Sequence, residues 1–183
     1  MSPELDAKLC EKYPKIFANR NADMKETAMC WGFDHSDGWY TIINHLCACI
    51  QHHIDWSQTR YEQDLKYNAM VADMQAGNFA SFDEHTKTIT NLDYKEKCRE
   101  DILKRGAREA KAPCPQVVAD QVKEKFGTLR FYYSGGDDFI RGLVSMAEAM
   151  SAVTCEVCGK PGKREGQSWV RTVCEEHKSK NDL

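Results

Sequence analysis

Apolar residues recur every three or four positions between Trp39 and Ile54. Trp39, Ile43, Leu46, Cys47, Ile50 and Ile54 form a single stripe, the pattern of a helix with one face in a core. The segment "DGWYTIINHLCACIQHHIDW" is therefore expected to be helical, with Ser36 or Asp37 as its cap. Upstream, "SPELDAKLCEKYPKIF" predicts a first helix with Ser2 at the N-cap and Pro3 at the first helical position, ending near Pro14. Polar "ANRNADMKETAM" between them suits a loop or short helix.

From residue 58 the apolar face thins and charge rises. "QTRYEQDLKYNAMVADMQ" is expected as a helix stopping at Gly77. "SFDEHTKTI" opens with Ser81 and has Glu84 three residues later, a capping-box pattern. "YKEKCREDILKRG" reads as a further helix ending at Gly106. Residues 58–112 thus form a helical insertion, either a protruding arm or a partner-binding surface.

The period then changes from helical to alternating. Pro113 and Pro115 flank Cys114 and break helix, and two β-prone runs flank Lys125-Phe126-Gly127. Leu129, Phe131 and Tyr133 alternate with Arg130 and Tyr132, which predicts a β-hairpin with one apolar face. A glycine turn, "SGGDD", leads into a helix capped by Asp137 or Asp138, with Ile140, Leu143, Val144, Met146, Ala147 and Met150 expected to face inward. The expected fold class is α+β. It is mainly helical, with a small antiparallel hairpin or sheet and a C-terminal Cys3His zinc-ribbon-like element. The chain divides into an N-terminal helical part of the core (1–57), the insertion (58–112), hairpin plus helix (113–153) and a zinc-binding element (154–183).

That last element carries the strongest chemical signal. Cys155 and Cys158 are spaced C-x2-C, and Cys174 and His177 are spaced C-x2-H, with fifteen residues between the pairs. Two short pairs of this kind supply the four soft donors of a tetrahedral zinc shell. Gly159 permits a tight knuckle in which backbone N–H groups point at thiolate sulfur. "SWVRTV" (Ser168 to Val173) is expected as the strand returning the second pair, and "CEEHKSK" as a helical turn. Four protein ligands close the shell, where a catalytic zinc would keep a position for water. One structural zinc per chain is therefore expected, with Glu175 and Glu176 solvated.

Weaker constellations accompany it. His45, Cys49 and His52 or His53 stack along the second helix opposite its apolar stripe, and a second metal there is conceivable with Cys30 or His35. No fourth ligand has a defined spacing, so a polar-aromatic face packed under the insertion is the plainer account. Lys123, Lys125, Arg130 and Tyr132 could offer a basic–aromatic face to a nucleotide or single strand, although an amphipathic hairpin shows the same pattern. "SGGDD" has the form of a phosphate-binding turn at a helix N-terminus, but Asp137 and Asp138 occupy that place and would repel phosphate; they read as caps, and a charged ligand expected there is a metal before a phosphate. Cys30, Cys47, Cys98 and Cys114 lack a motif partner and read as ordinary thiols.

Composition narrows the setting. The 183 residues suit one domain, or one with a small appendage, and 42% hydrophobic content supports a true core. No apolar run spans a bilayer. Glu4, Asp6, Lys8, Glu11 and Lys12 stand where a signal peptide would be apolar, so a cytoplasmic location is expected. Nine cysteines, an odd number, fit reduced thiols and metal better than disulfides. Residues 1–100 carry 11 Lys+Arg against 16 Asp+Glu, and residues 101–183 carry 14 against 12. An acidic front half disfavours a large nucleic-acid footprint.

The strings "LCEKYPKIFANR", "CWGFDHSDGWYTII", "VKEKFGTLRFYYSGGDD" and "CEVCGKPG…GQSWVRTVCEEH" resemble a family of bacteriophage and prophage proteins. Its hallmarks are a G-D-G-W-like segment, a K-E-K-F-G-x-L-R-F-Y-Y hairpin and a C-terminal zinc knuckle pair. The resemblance covers residues 9–54 and 117–177, with Ser36 where the family often has Gly. It implies action in the cytoplasm of an infected bacterial host, and the family brings no settled activity.

The expectation is a non-enzymatic, zinc-stabilised binding protein. It would act in host takeover or counter-defence as an inhibitor directed at a host bacterial protein or a small signalling nucleotide, with homo-oligomerisation open. A nucleic-acid-binding zinc ribbon is the alternative. A third reading is a metal-dependent hydrolase using His45, His52, His53 or Asp137/Asp138 with a second metal.

Overall fold

The computed structural model describes residues 1–166 and 169–178. The chain divides into two units, one of residues 1–54 with 114–183 and a second, Asp55–Pro113, inserted between its halves. The fold is α+β and mainly helical.

In the first unit, α1 (Pro3–Lys12) starts at the Ser2-Pro3 step and ends two residues before Pro14. Ser2 holds the cap position without a side-chain bond. Two 3-10 turns, Ala18–Asn21 and Ala28–Trp31, lead to the two-residue strand β1 (Phe33–Asp34). A further 3-10 turn, Asp37–Trp39, opens directly into α2 (Tyr40–Gln75). The apolar stripe lies where its period requires: Trp39, Ile43, Leu46, Cys47, Ile50 and Ile54 are all buried.

Strands β2 (Val118–Lys125) and β3 (Thr128–Ser134) form the hairpin, antiparallel with Val122 opposite Phe131. Phe126 and Gly127 make its turn at φ 53° and 78°, the paired positive φ values that a two-residue hairpin loop of matching twist demands. β1 adds to β2 in parallel, Phe33 opposite Val122, so the three-stranded sheet is mixed. Leu129 and Phe131 are buried on the apolar face of β3, and Tyr132 is exposed on the other.

Helix α5 (Asp138–Ser151) closes the open edge of this sheet. Leu129 N–H donates to Ser151 Oγ (2.8 Å) and Phe131 N–H to Glu148 Oε1 (3.1 Å), which satisfies donors that an edge strand would otherwise leave unpaired. Its inward arc is Ile140, Val144, Ala147 and Ser151. Leu143 is only half-buried, and Met146 and Met150, expected inside, are 61% and 45% exposed. At 100° per residue, Met150 sits roughly 90° and Met146 roughly 130° from the centre of the buried arc, beyond the reach of the sheet.

The C-terminal element is a two-stranded ribbon, β4 (Lys163–Glu165) with β5 (Arg171–Val173), ending in a 3-10 turn at Glu175–His177. The returning strand begins at Arg171, later than expected. Ser168 lies outside the described residues, as do Ser179 and Lys180 of the expected final turn.

The second unit contains the C-terminal part of α2, α3 (Ala80–His85) and α4 (Leu92–Arg105). Met70, Met74 and Phe82 make its small core. Neither glycine nor proline occurs between Trp39 and Gly77, so α2 does not break at residue 57 and instead runs 36 residues. The capping box does not form either. The helix begins at Ala80, Phe79 takes the cap position, and Ser81 Oγ donates to Asp73 Oδ2 (3.0 Å). Asn91 caps α4 through Tyr94 N–H, and Gly106, at φ 68°, ends it.

Candidate metal centre

Cys155, Cys158, Cys174 and His177 come together, their donor atoms all within 4.8 Å of one another. Cys158 Sγ lies 3.7 Å from Cys174 Sγ, and His177 Nδ1 lies 3.7 Å from Cys155 Sγ and 3.2 Å from Cys174 Sγ. A tetrahedral ion with metal–sulfur bonds of about 2.3 Å and metal–nitrogen bonds of about 2.0 Å requires edges of roughly 3.8 Å between sulfurs and 3.5 Å between sulfur and nitrogen. The observed spacings match, so the cluster can hold a metal ion. The short C-x2-H loop presents Nδ1 rather than Nε2 as the ligating nitrogen.

Local backbone explains why these residues converge. Gly159, at φ 76°, lets the chain fold back so that its N–H donates to Cys155 O (2.9 Å), while Cys155 N–H donates to Lys160 O (2.7 Å). Glu156 N–H donates to Thr172 O (2.9 Å), which ties the first knuckle to β5 just ahead of the second pair. On the surface, Lys160 Nζ reaches both carboxylate oxygens of Glu176 at 2.8 Å. Glu175 is exposed and pairs with Lys178.

The electrostatics already favour thiolate. Burial alone would raise the Cys155 thiol, but backbone N–H groups of Cys158, Cys174 and Val157 aim at its sulfur and bring it down to about 6. Cys158 moves the other way. The Lys160 N–H favours its thiolate, but desolvation and the neighbouring thiols of Cys155 and Cys174 raise it on balance. The Cys155 thiol is thus the readiest of the set to ionise, while Cys158 holds its proton more firmly, and a bound cation would displace that proton.

The segment before α2 supports this centre from outside. Gly38 N–H donates to Glu156 O (2.7 Å), Trp39 Nε1 to Thr154 O (2.9 Å), and Ser36 N–H and Oγ to Glu156 Oε1 at 3.1 and 3.2 Å. The hairpin tip docks as well: Thr172 Oγ donates to Gly127 O, and Arg164 Nη2 to Phe126 O (2.8 Å). The "HSDGW" segment, the hairpin turn and the knuckle therefore form one assembly.

The histidine ladder on α2 does not gather into a site. His45, Cys49 and His52 are exposed rather than packed under other structure, and no ligand set among the described residues includes them, Cys30 or His35. His35 is buried, its Nδ1–H donating to Ser36 O (2.7 Å), and desolvation pushes its pKa down to about 4. His53 turns elsewhere. Its Nε2 is 2.7 Å from Asp137 Oδ2, and Cys114 completes a three-residue cluster. Cys114 had no local sequence signal, because its companions are 61 and 23 residues away.

Asp137 is the cap of α5, Oδ1 accepting from Ile140 N–H (3.1 Å), while Asp138 is exposed and paired with Arg141. Lys123, Arg130 and Tyr132 do share one hairpin face, with Lys123 opposite Arg130. Lys123 Nζ lies 5.6 Å over the Tyr132 ring, and Arg130 Nη1 is held by Thr128 Oγ1 (2.7 Å) and Leu129 O (2.8 Å). Lys123 and Lys125 line a polar cavity of about 630 Å³ with Arg171, Trp169, His35 and Glu156.

A second, apolar groove of about 200 Å³ separates α2 from α5. Ile42, Leu46, Leu143, Met146, Ala147 and Met150 form it, with Thr41, His45 and Cys49 on the α2 side. None of the described helices is long and apolar enough to cross a membrane. No family model, curated protein sequence or solved structure matches the chain.

Proposed function

We propose that the chain is a zinc-stabilised, non-enzymatic binding protein of bacteriophage origin that acts on a protein of the infected bacterium, in host takeover or counter-defence. The ion of the Cys155/Cys158/Cys174/His177 centre is zinc and its role is structural. Three thiolates and an imidazole suit that ion, and four protein donors leave no position for substrate. The observation that carries the binding role is the groove between α2 and α5. Its lining contains no lysine, arginine, aspartate or glutamate, and two of its methionines stand open to solvent. Such a surface accepts the apolar stripe of a partner helix, with methionine adapting to the side chains it meets. It offers a phosphate no lysine or arginine.

The test is affinity purification of tagged protein from a bacterial host, followed by reconstitution with the purified partner. A single host protein should bind wild type and be lost by Met146→Asp and Met150→Asp, which change only exposed positions. Concentration-dependent dimerisation abolished by the same variants would instead make the groove a self-association surface. Binding that ignores both variants would overturn the groove.

The polar cavity favours a second reading, a small signalling nucleotide. Lys123, Lys125 and Arg171 would meet phosphate and Trp169 would stack on the base. Calorimetry with nucleotides separates the two readings, since a nucleotide response must fall in Lys123→Ala and be untouched by Met146→Asp.

A further inference from the structure

We propose that His53, Cys114 and Asp137 form a second metal site, open on one side, that takes a zinc-like divalent cation. The three side chains come from α2, the Pro-Cys-Pro segment and the start of α5, and their donor atoms lie within 4.8 Å of one another. This proposal is independent of the Cys3His centre, with which it shares no residue.

Each donor is held in place by something other than a metal. Cys114 sits between Pro113 and Pro115, whose fixed φ angles limit the local chain, and its Sγ turns 3.6 Å from Pro115 O. The His53 ring lies on Phe139 with centroids 4.5 Å apart at 30°. Asp137 spends Oδ1 on the Ile140 N–H, which leaves Oδ2 toward His53. The site is therefore largely pre-formed, and its partners are 84 and 61 residues apart along the chain.

The donor set chooses the ion. One sulfur, one imidazole nitrogen and one carboxylate oxygen reject magnesium and calcium, which demand oxygen, and suit zinc. A tetrahedral shell with bonds near 2.0 Å needs roughly 3.3 Å between the nitrogen and oxygen ligands. The 2.7 Å His53–Asp137 contact must therefore open by roughly 0.6 Å, within side-chain adjustment. Three ligands leave the fourth position to water, and the exposed Asp137 edge faces solvent. The first centre is closed and the second is exchangeable.

The experiment is native mass spectrometry of the full chain equilibrated with zinc, read beside cobalt(II) absorption spectra. Wild type should bind two ions. Cys114→Ala and His53→Gln should each bind one with an unchanged far-UV spectrum, and the cobalt form of Cys114→Ala should lose a single-thiolate band. Cys158→Ser should keep the second ion if its fold survives, which separates failure of this site from failure of the first. One ion in zinc-saturated wild type would overturn the proposal. So would two ions retained in both single variants, which would place the extra ion elsewhere, as on His45 or His52.

Discussion

Gly38 and Glu156, 118 positions apart, are joined backbone to backbone: the Gly38 N–H donates to Glu156 O at 2.7 Å. The contact is so close that a Cβ on Gly38 would stand 2.2 Å from Cys155 O and 2.5 Å from Gly159 N. This is a demand for space, since the opposing atoms are backbone and cannot rotate away. Gly38→Ala must therefore push the knuckle off the start of α2. Overpacking of this kind costs about 1–3 kcal/mol, and the strain falls on the loop that positions Cys155 and Cys158. The variant should show a lowered Tm and, when both proteins are loaded with zinc, weaker retention of the ion against a chromophoric chelator. A drop in Tm with zinc retention unchanged would mean that the knuckle holds its own geometry.

The same junction makes metal loss visible at a distance. Trp39 is fully buried and bonded to Thr154 O, whereas Trp31, Trp56 and Trp169 are exposed. A blue-shifted component of tryptophan emission therefore belongs to Trp39. In protein loaded with zinc, chelation of an ion held by the Cys3His cluster should shift that component to the red as the knuckle loosens and water reaches the indole. Trp39→Phe should show no such shift on chelation. Emission indifferent to chelator in wild type would confine the metal's influence to the terminal ribbon.

Thr172 offers a finer probe of the contact between ribbon and hairpin. Its side chain is wholly buried and its hydroxyl donates to Gly127 O. Thr172→Val keeps the shape but leaves that carbonyl short of a partner, at a cost of about 1–3 kcal/mol. Denaturant melts should register the loss as a lower midpoint at constant slope. A midpoint equal to wild type would show that Gly127 O finds water instead.

These contacts mark the boundary of what the chain discloses along its own length. The hairpin, the α2 stripe and the paired C-x2-C and C-x2-H spacings are local patterns, and periodicity or spacing is enough to locate them. The union of Gly38 with the knuckle is not local, and neither is that of His53 with Asp137 and Cys114. No period connects residues so distant; only the packed chain does. Met146 and Met150 mislead for another reason. Their helical spacing is regular, but the sheet is narrow and covers only the arc from Ile140 to Ser151. At Ser81, a capping pattern lost to a helix that starts two residues earlier than Ser81 as cap would require, at Ala80 with Phe79 in the cap position. The polarity change near residue 58 lacks a helix breaker, so it alters the face of α2 without ending it.

His35 gives the protein a pH dependence with a defined sign. It is buried, Nδ1–H donates to Ser36 O, and desolvation pulls its pKa from 6.5 to about 4. The native state therefore resists a proton that the unfolded chain accepts. Between those two values the unfolded state binds more protons, so stability rises with pH, is complete above about 6.5 and falls toward pH 4. A shift of this size corresponds to ~3 kcal/mol across the window. Release of an ion held by the Cys3His cluster would add to the fall at low pH, but it would act on wild type and on His35→Gln alike. Denaturation of both proteins at pH 7.5 and pH 5.0 isolates the histidine. Wild type should lose more stability than the variant between the two conditions. Equal losses would show that His35 takes up its proton without leaving its place between Phe33 and Trp39.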